Sequence, residues 1–131
     1  MSDELTALLH ASMPLSATIG IRARSMAADE VVAELDWAPE LCTNAELLHG
    51  GTLMALADSI GAACAMANLP EGAAGTATIE SKTNFLGGVR EGTVVATSRP
   101  LHVGRRTIVI ETEIHNGDKL VAKTTQTQAV L

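Results

Sequence analysis

Between Thr52 and Ala67 the chain is apolar almost without interruption, rich in Ala, Leu and Met, with Thr52, Asp58 and Ser59 its only polar side chains. That composition and the lack of a β-branched run predict a helix over 52–67, apolar nearly all round and so buried on most sides. Asn68-Leu69-Pro70-Glu71-Gly72 supplies its stop signals. Beyond Gly75 the period changes to two, with Ala77, Ile79, Ser81, Thr83 and Phe85 alternating against Thr78, Glu80, Lys82 and Asn84. Strands then follow in quick succession over 93–101, 106–115 and 120–130. Gly87-Gly88 to Gly92, Gly104 and the hairpin pair Asn116-Gly117 separate them, which predicts an antiparallel meander.

Ahead of the long helix the pattern is weaker. Ser2 is a candidate N-cap for a short surface helix over 2–10, with Asp3 and Glu4 in its first turn and Leu5, Leu8 and Leu9 as an apolar stripe. Residues 19–24 and 31–37 read as two strands around the turn-prone 27–30, the second alternating Val31, Ala33, Leu35 and Trp37 against Val32, Glu34 and Asp36. One buried helix plus a run of antiparallel strands gives an α+β domain whose sheet must curve around the helix to cover it.

The length of 131 residues fits one domain over 1–131, with 1–14 as an N-terminal helical extension. A net charge of −6 and 2% aromatic residues argue against nucleic acid as the main partner. Cys42 and Cys64 lack the paired spacing of a zinc or redox motif, which predicts reduced thiols and a cytoplasmic location. The acidic start does not resemble a signal peptide. Residues 47–69 are long enough to suggest a membrane span, but a central Asp costs about 2.5–3.5 kcal/mol on insertion, so no membrane association is expected.

Chemistry concentrates in the polar loop, glycine pair and helix start from Thr43 to Asp58. Gly50 and Gly51 leave unpaired N–H groups at the helix start, open to close approach by a developing oxyanion; the same pair also serves simply as a tight turn. Asp58 on an apolar helix must reach a cavity, find a partner or lose its charge. It is thus a candidate base, or else an Asp tied to backbone or to Ser59. His49 suits a carbonyl contact or a loop-holding role, and Thr78 or Asn44 can place a water. Gly51 and Asp58 stand seven positions apart, about 10 Å along a helix. If both act on one reacting centre, the carboxylate must come from a second subunit, and the site lies in a two-fold interface.

The run Leu48-His49-Gly50-Gly51 followed by Asp58 resembles the helix-entry motif of the PaaI-like branch of hotdog acyl-CoA thioesterases. Thr78 with Asn84-Phe85-Leu86, Val89-Arg90-Glu91-Gly92, Gly104-Arg105-Arg106 and the segment 117–123 extend the likeness over about residues 15–130. It implies a hotdog fold, a curved antiparallel sheet wrapped around one long helix. It further implies hydrolysis of an acyl- or aryl-CoA thioester, phenylacetyl among the candidates. Asp58 would act as general base or nucleophile and the Gly50 N–H as oxyanion donor. His49 and Gly51 would shape the loop, Thr78 would stand near the attacking water, and Asn44 would fill an amide position that the family places one residue further from the histidine, at Thr43 here. Arg90, Arg105, Arg106 or Lys82 would meet the CoA phosphates. A homodimer sharing its active sites, arranged as a dimer of dimers, follows from the same likeness.

No metal site or bound redox cofactor is expected, since no ligand cluster, phosphate loop or dinucleotide fingerprint is present in the sequence. The alternative from another class is a non-catalytic acyl-CoA-binding hotdog protein, against which Asp58 argues. Thioester hydratases of this fold pair an Asp with a His five positions on, where this chain has Ala63 after Asp58 and Leu41 after Asp36.

Overall fold

The computed structural model describes residues 2–131. Its centre is the long helix, here α3 (Gly50–Met66), which begins two residues earlier than the apolar run suggests. His49 is the reason: its ring nitrogen Nδ1 accepts the Gly51 N–H at 2.7 Å and caps the helix, drawing the glycine pair into the first turn. Leu56, Ala57, Ile60 and Cys64 are fully enclosed. Past the first turn, Met54, Asp58, Ala62 and Met66, spaced four apart, form an outward stripe flanked by the half-buried Ala55.

Six antiparallel strands, β1 (Arg22–Met26), β2 (Val31–Asp36), β3 (Thr76–Phe85), β4 (Thr93–Val103), β5 (Thr107–Asn116) and β6 (Lys119–Val130), form one sheet in the order β1-β2-β4-β5-β6-β3. It curves around α3, which packs against all strands from β2 to β6. β4 and β5 keep strict alternation: Val94, Ala96 and Ser98, then Ile108, Ile110, Thr112 and Ile114, point into the core. The two buried hydroxyls among them, Ser98 and Thr112, satisfy each other at 2.6 Å.

The N-terminal part departs from the sequence pattern. α1 (Asp3–Ser12) forms with Ser2 as its N-cap and packs across β1, burying Leu9. A second helix, α2 (Pro14–Ile19), then takes in Ile19, the first residue of the strand expected over 19–24. Pro14 lacks the N–H that a first helical turn leaves unused, and Gly20, at φ 86°, ends the helix in the left-handed conformation. The strand expected over 19–24 is thereby pushed to β1. The helical part of the N-terminus accordingly runs to residue 19 rather than 14.

The strand expected over 106–115 likewise begins at Thr107, because Arg105 and Arg106 form the turn.

β3 departs in a more consequential way. Its pairing with β6 carries a bulge between Thr78 and Glu80, so Ile79 is an extra residue and inward parity changes across it. Thr78 faces inward before the bulge, while Ser81, Thr83 and Phe85 do so after it, opposite the inward Gln126, Thr124 and Ala122 of β6. Ile79 itself is 64% exposed.

The two sheet edges differ. β1 is short and bulged, and it is armoured by Arg22 and Arg24, which pair with the buried Glu34. Burial opposes ionisation of Glu34, yet the two guanidiniums outweigh it and hold its carboxyl below the usual range; Arg22 and Thr93 do the same for Asp36. β3 is ten residues long, open along its outer side, and carries exposed Ile79 and Phe85. No helix among the described residues is long and apolar enough to cross a membrane.

Candidate active site

Two constellations stand on α3, one at its start and one at its middle. At the start, the chain passes from Leu41 through a tight loop in which Ala45 and Glu46 both adopt φ 60°, the left-handed region that costs a side chain about 1–2 kcal/mol. The indole N–H of Trp37 donates to the Glu46 carbonyl at 2.9 Å, and Leu48 N–H donates to the Val89 carbonyl at 2.9 Å. These bonds deliver His49 to the helix entry. Since His49 Nδ1 takes the Gly51 N–H, that donor is engaged, while the Gly50 N–H donates to no acceptor among the described residues. Gly50 lies against the Phe85 ring, which a Cβ there would meet at 3.1 Å, in an open hollow of about 270 Å³ lined also by Thr43, Leu47, Leu53 and Gly88. An N–H at the positive end of a helix, bared by a glycine, can receive an anionic oxygen.

At the middle, Asp58 lies half-buried on the outward stripe. Thr78 donates its hydroxyl to Asp58 Oδ1 at 2.8 Å, and Thr78 in turn accepts from the side-chain amide of Gln128 at 2.6 Å. Oδ2 has no hydrogen-bond partner among the described residues. Ser59, the competing partner, instead donates to the Ala55 carbonyl at 2.7 Å. The inward turn of Thr78 is the work of the Ile79 bulge. Further along the stripe, Ala62 and Met66 join Leu8, Met13, Met26 and Thr76 around a mainly apolar groove of about 350 Å³. Ala63 also lines it, whereas Ala65 is packed in the core.

The sequence candidates thus fall into two groups. Asp58 and Thr78 meet; His49, Gly50 and Gly51 meet; the two groups do not. Gly50 to Asp58 is eight residues, about 12 Å along the helix, and the Gly50 N–H points away from Asp58 toward the helix start. Asn44 is exposed, and its side chain makes no hydrogen bond to either group. Arg90 follows Val89 at the helix-entry end of the sheet. Arg105 and Arg106 sit at the far end in the β4–β5 turn, beside His102 in an open basic hollow of about 640 Å³. Lys82 is exposed and donates to Asn84 at 2.8 Å. Burial, aided by the charge of Asp29, pushes the Cys64 thiol up to about 11, so it is protonated and inert at neutral pH. No group of His, Cys, Asp and Glu with metal-site spacing occurs among the described residues. Gln126 and Gln128 did not stand out in the sequence because β6 is polar on both faces beyond Ala122; the available signal was Gly61, a glycine in mid-helix.

A long helix wrapped in one curved antiparallel sheet is the hotdog architecture. The thioesterase superfamily profile matches residues 45–123, and the chain belongs to that family. It is 29% identical over 125 residues to protein Rv1847 of Mycobacterium tuberculosis, covering 93% of this chain and 89% of that one. The thioesterase HI1161 of Haemophilus influenzae superposes with a TM-score of 0.89 at 27% identity, over 100% of this chain and 91% of that one. Protein PA5202 of Pseudomonas aeruginosa gives 0.83 at 33% identity, over 89% and 93%.

Proposed function

We propose that the chain hydrolyses an acyl- or aryl-coenzyme A thioester, with Asp58 as general base or nucleophile and the Gly50 N–H as oxyanion donor. The observation that carries this is Asp58 itself: one oxygen held by Thr78, the other free, on an outward helical stripe that leads into an apolar groove. As general base, Asp58 takes a proton from water, and the hydroxide adds to the thioester carbonyl. The oxyanion so formed is received by a Gly50 N–H, and collapse expels CoA as its thiolate. As nucleophile, Asp58 adds to the carbonyl and expels CoA as its thiolate, and water then cleaves the resulting mixed anhydride to the free acid and the restored carboxylate.

The 12 Å between the two groups calls for two copies of the chain, each supplying one group to a shared site. The open edge of β3 is suited to pairing with its counterpart, which would cover Ile79, and two such dimers would form a tetramer. Arg90 from one end and Arg105 or Arg106 from the other would meet the CoA phosphates, and free thiols at Cys42 and Cys64 suit a cytoplasmic location. His49 shapes the helix entry that presents Gly50, and Asn44, in the loop just before that entry, would help to orient the nucleophile that the second copy brings. Thiol release from phenylacetyl-, hydroxybenzoyl- and straight-chain acyl-CoAs tests the proposal. Turnover of at least one is expected, and binding without release of thiol from any would make this a non-catalytic acyl-CoA-binding protein.

A further inference from the structure

We infer that Gln126 and Gln128, two glutamines sealed in the core, are positioning residues that choose which oxygen of Asp58 reacts; this rests on the catalytic role proposed for Asp58. Their side chains are 0% and 1% exposed and lie beneath α3 on the inner face of β6. Gln126 Nε2 donates to the Ala57 carbonyl of α3 at 3.2 Å. A carbonyl only accepts, so this bond fixes which end of the Gln126 amide faces the helix and turns its oxygen toward Gln128. Gln128 Nε2 donates one hydrogen to that oxygen and the other to Thr78 Oγ1 at 2.6 Å. With its acceptor side so engaged, the Thr78 hydroxyl points its own hydrogen at Asp58 Oδ1, 2.8 Å away.

Every donor in the chain from Ala57 to Asp58 therefore has one direction. Inverting the Gln128 amide would set two carbonyl oxygens against each other. Oδ1 of Asp58 is committed as an acceptor, and Oδ2 is left as the oxygen that meets water or thioester.

Two independent features show that the arrangement is held at the expense of stability. Gly61, inside α3, is a weak helix former, but a methyl group there would overlap the Gln126 amide. Gln128 Oε1 is buried with no partner, a state that two leucines at these positions would avoid. Local rules broken together beside a candidate catalytic carboxylate mark a functional constraint.

The test is a double-mutant cycle on an acyl-CoA that the parent turns over. Thr78→Val and Gln128→Leu should each lower kcat about tenfold with KM unchanged within about twofold, and the double variant should be no slower than Thr78→Val alone. A merely structural glutamine would give effects that multiply, or a change in KM, and either result overturns the inference. So does parental kcat in Gln128→Leu, which leaves the thioesterase proposal standing. A parent that releases thiol from no acyl-CoA overturns both. Should Gln128→Leu fail to fold, Gly61→Ala takes its place in the cycle, displacing Gln126 with Gln128 and Thr78 intact, and the same outcomes decide.

Discussion

The start and the middle of α3 are built from different materials. At the start the proposed functional group is a backbone N–H, presented by local geometry: a His cap that consumes the neighbouring donor, two left-handed residues in the loop, and a glycine under Phe85. At the middle it is a side chain, held by Thr78 and by amides reaching up from β6. A backbone donor is deleted by no side-chain exchange except proline, and otherwise can only be obstructed. A side-chain acid can be deleted by one atom's exchange. The first kind of site tolerates change around it as long as the turn survives, while the second depends on partners far away in sequence.

The sharpest way to break this contrast is Asp58→Asn, nearly isosteric but unable to act as base or nucleophile. A loss of kcat of at least about 100-fold with KM little changed is expected from steady-state thiol release, and near-parental kcat would remove Asp58 from the chemistry. Mixing comes next. Asp58→Ala and Gly50→Val, each inactive alone, should recover about a quarter of parental activity once mass-tagged subunits show complete exchange, because half the dimers are mixed and each has one intact site of two. No recovery would place both groups in one chain's site.

His49→Ala removes the cap of α3 and should cost about 1 kcal/mol, read as a fall in Tm of roughly 3–6 °C. A kcat loss as large as that of Asp58→Asn would give the imidazole a chemical role as well. Smallest of all, Cys64→Ala, on the core side of the same helix, should leave kcat within about threefold of the parent, since its thiol is protonated and out of reach.

The sequence announces α3 as an unbroken apolar run, β5 as a period of two, and β6 through the Asn116-Gly117 hairpin ahead of it. Asp58 is legible for the converse reason, a lone acid in a run with no place for charge. Thr78 is only half legible. Strict alternation puts it on the opposite face from Phe85, and only the extra residue Ile79 brings both inward. A bulge is one unpaired residue with no composition of its own, so period-two counting passes over it. α2 was missed because its six residues are too few to show a helical period, although Pro14 and Gly20 bracket it. Gln126 and Gln128 are hidden by the alternating Thr125 and Thr127, since polar residues on both faces leave no contrast to read.

The distance between Gly50 and Asp58 also bears on how the protein behaves when scarce. A site divided between copies obeys mass action: below the dissociation constant of the pair, the fraction of chains with a complete site falls with dilution. Specific activity, which for a self-contained enzyme is a constant, then becomes a titration curve of protein against itself. For the proposed dimer joined at β3, its half-maximum would report the strength of that edge in solution, without any probe but the substrate.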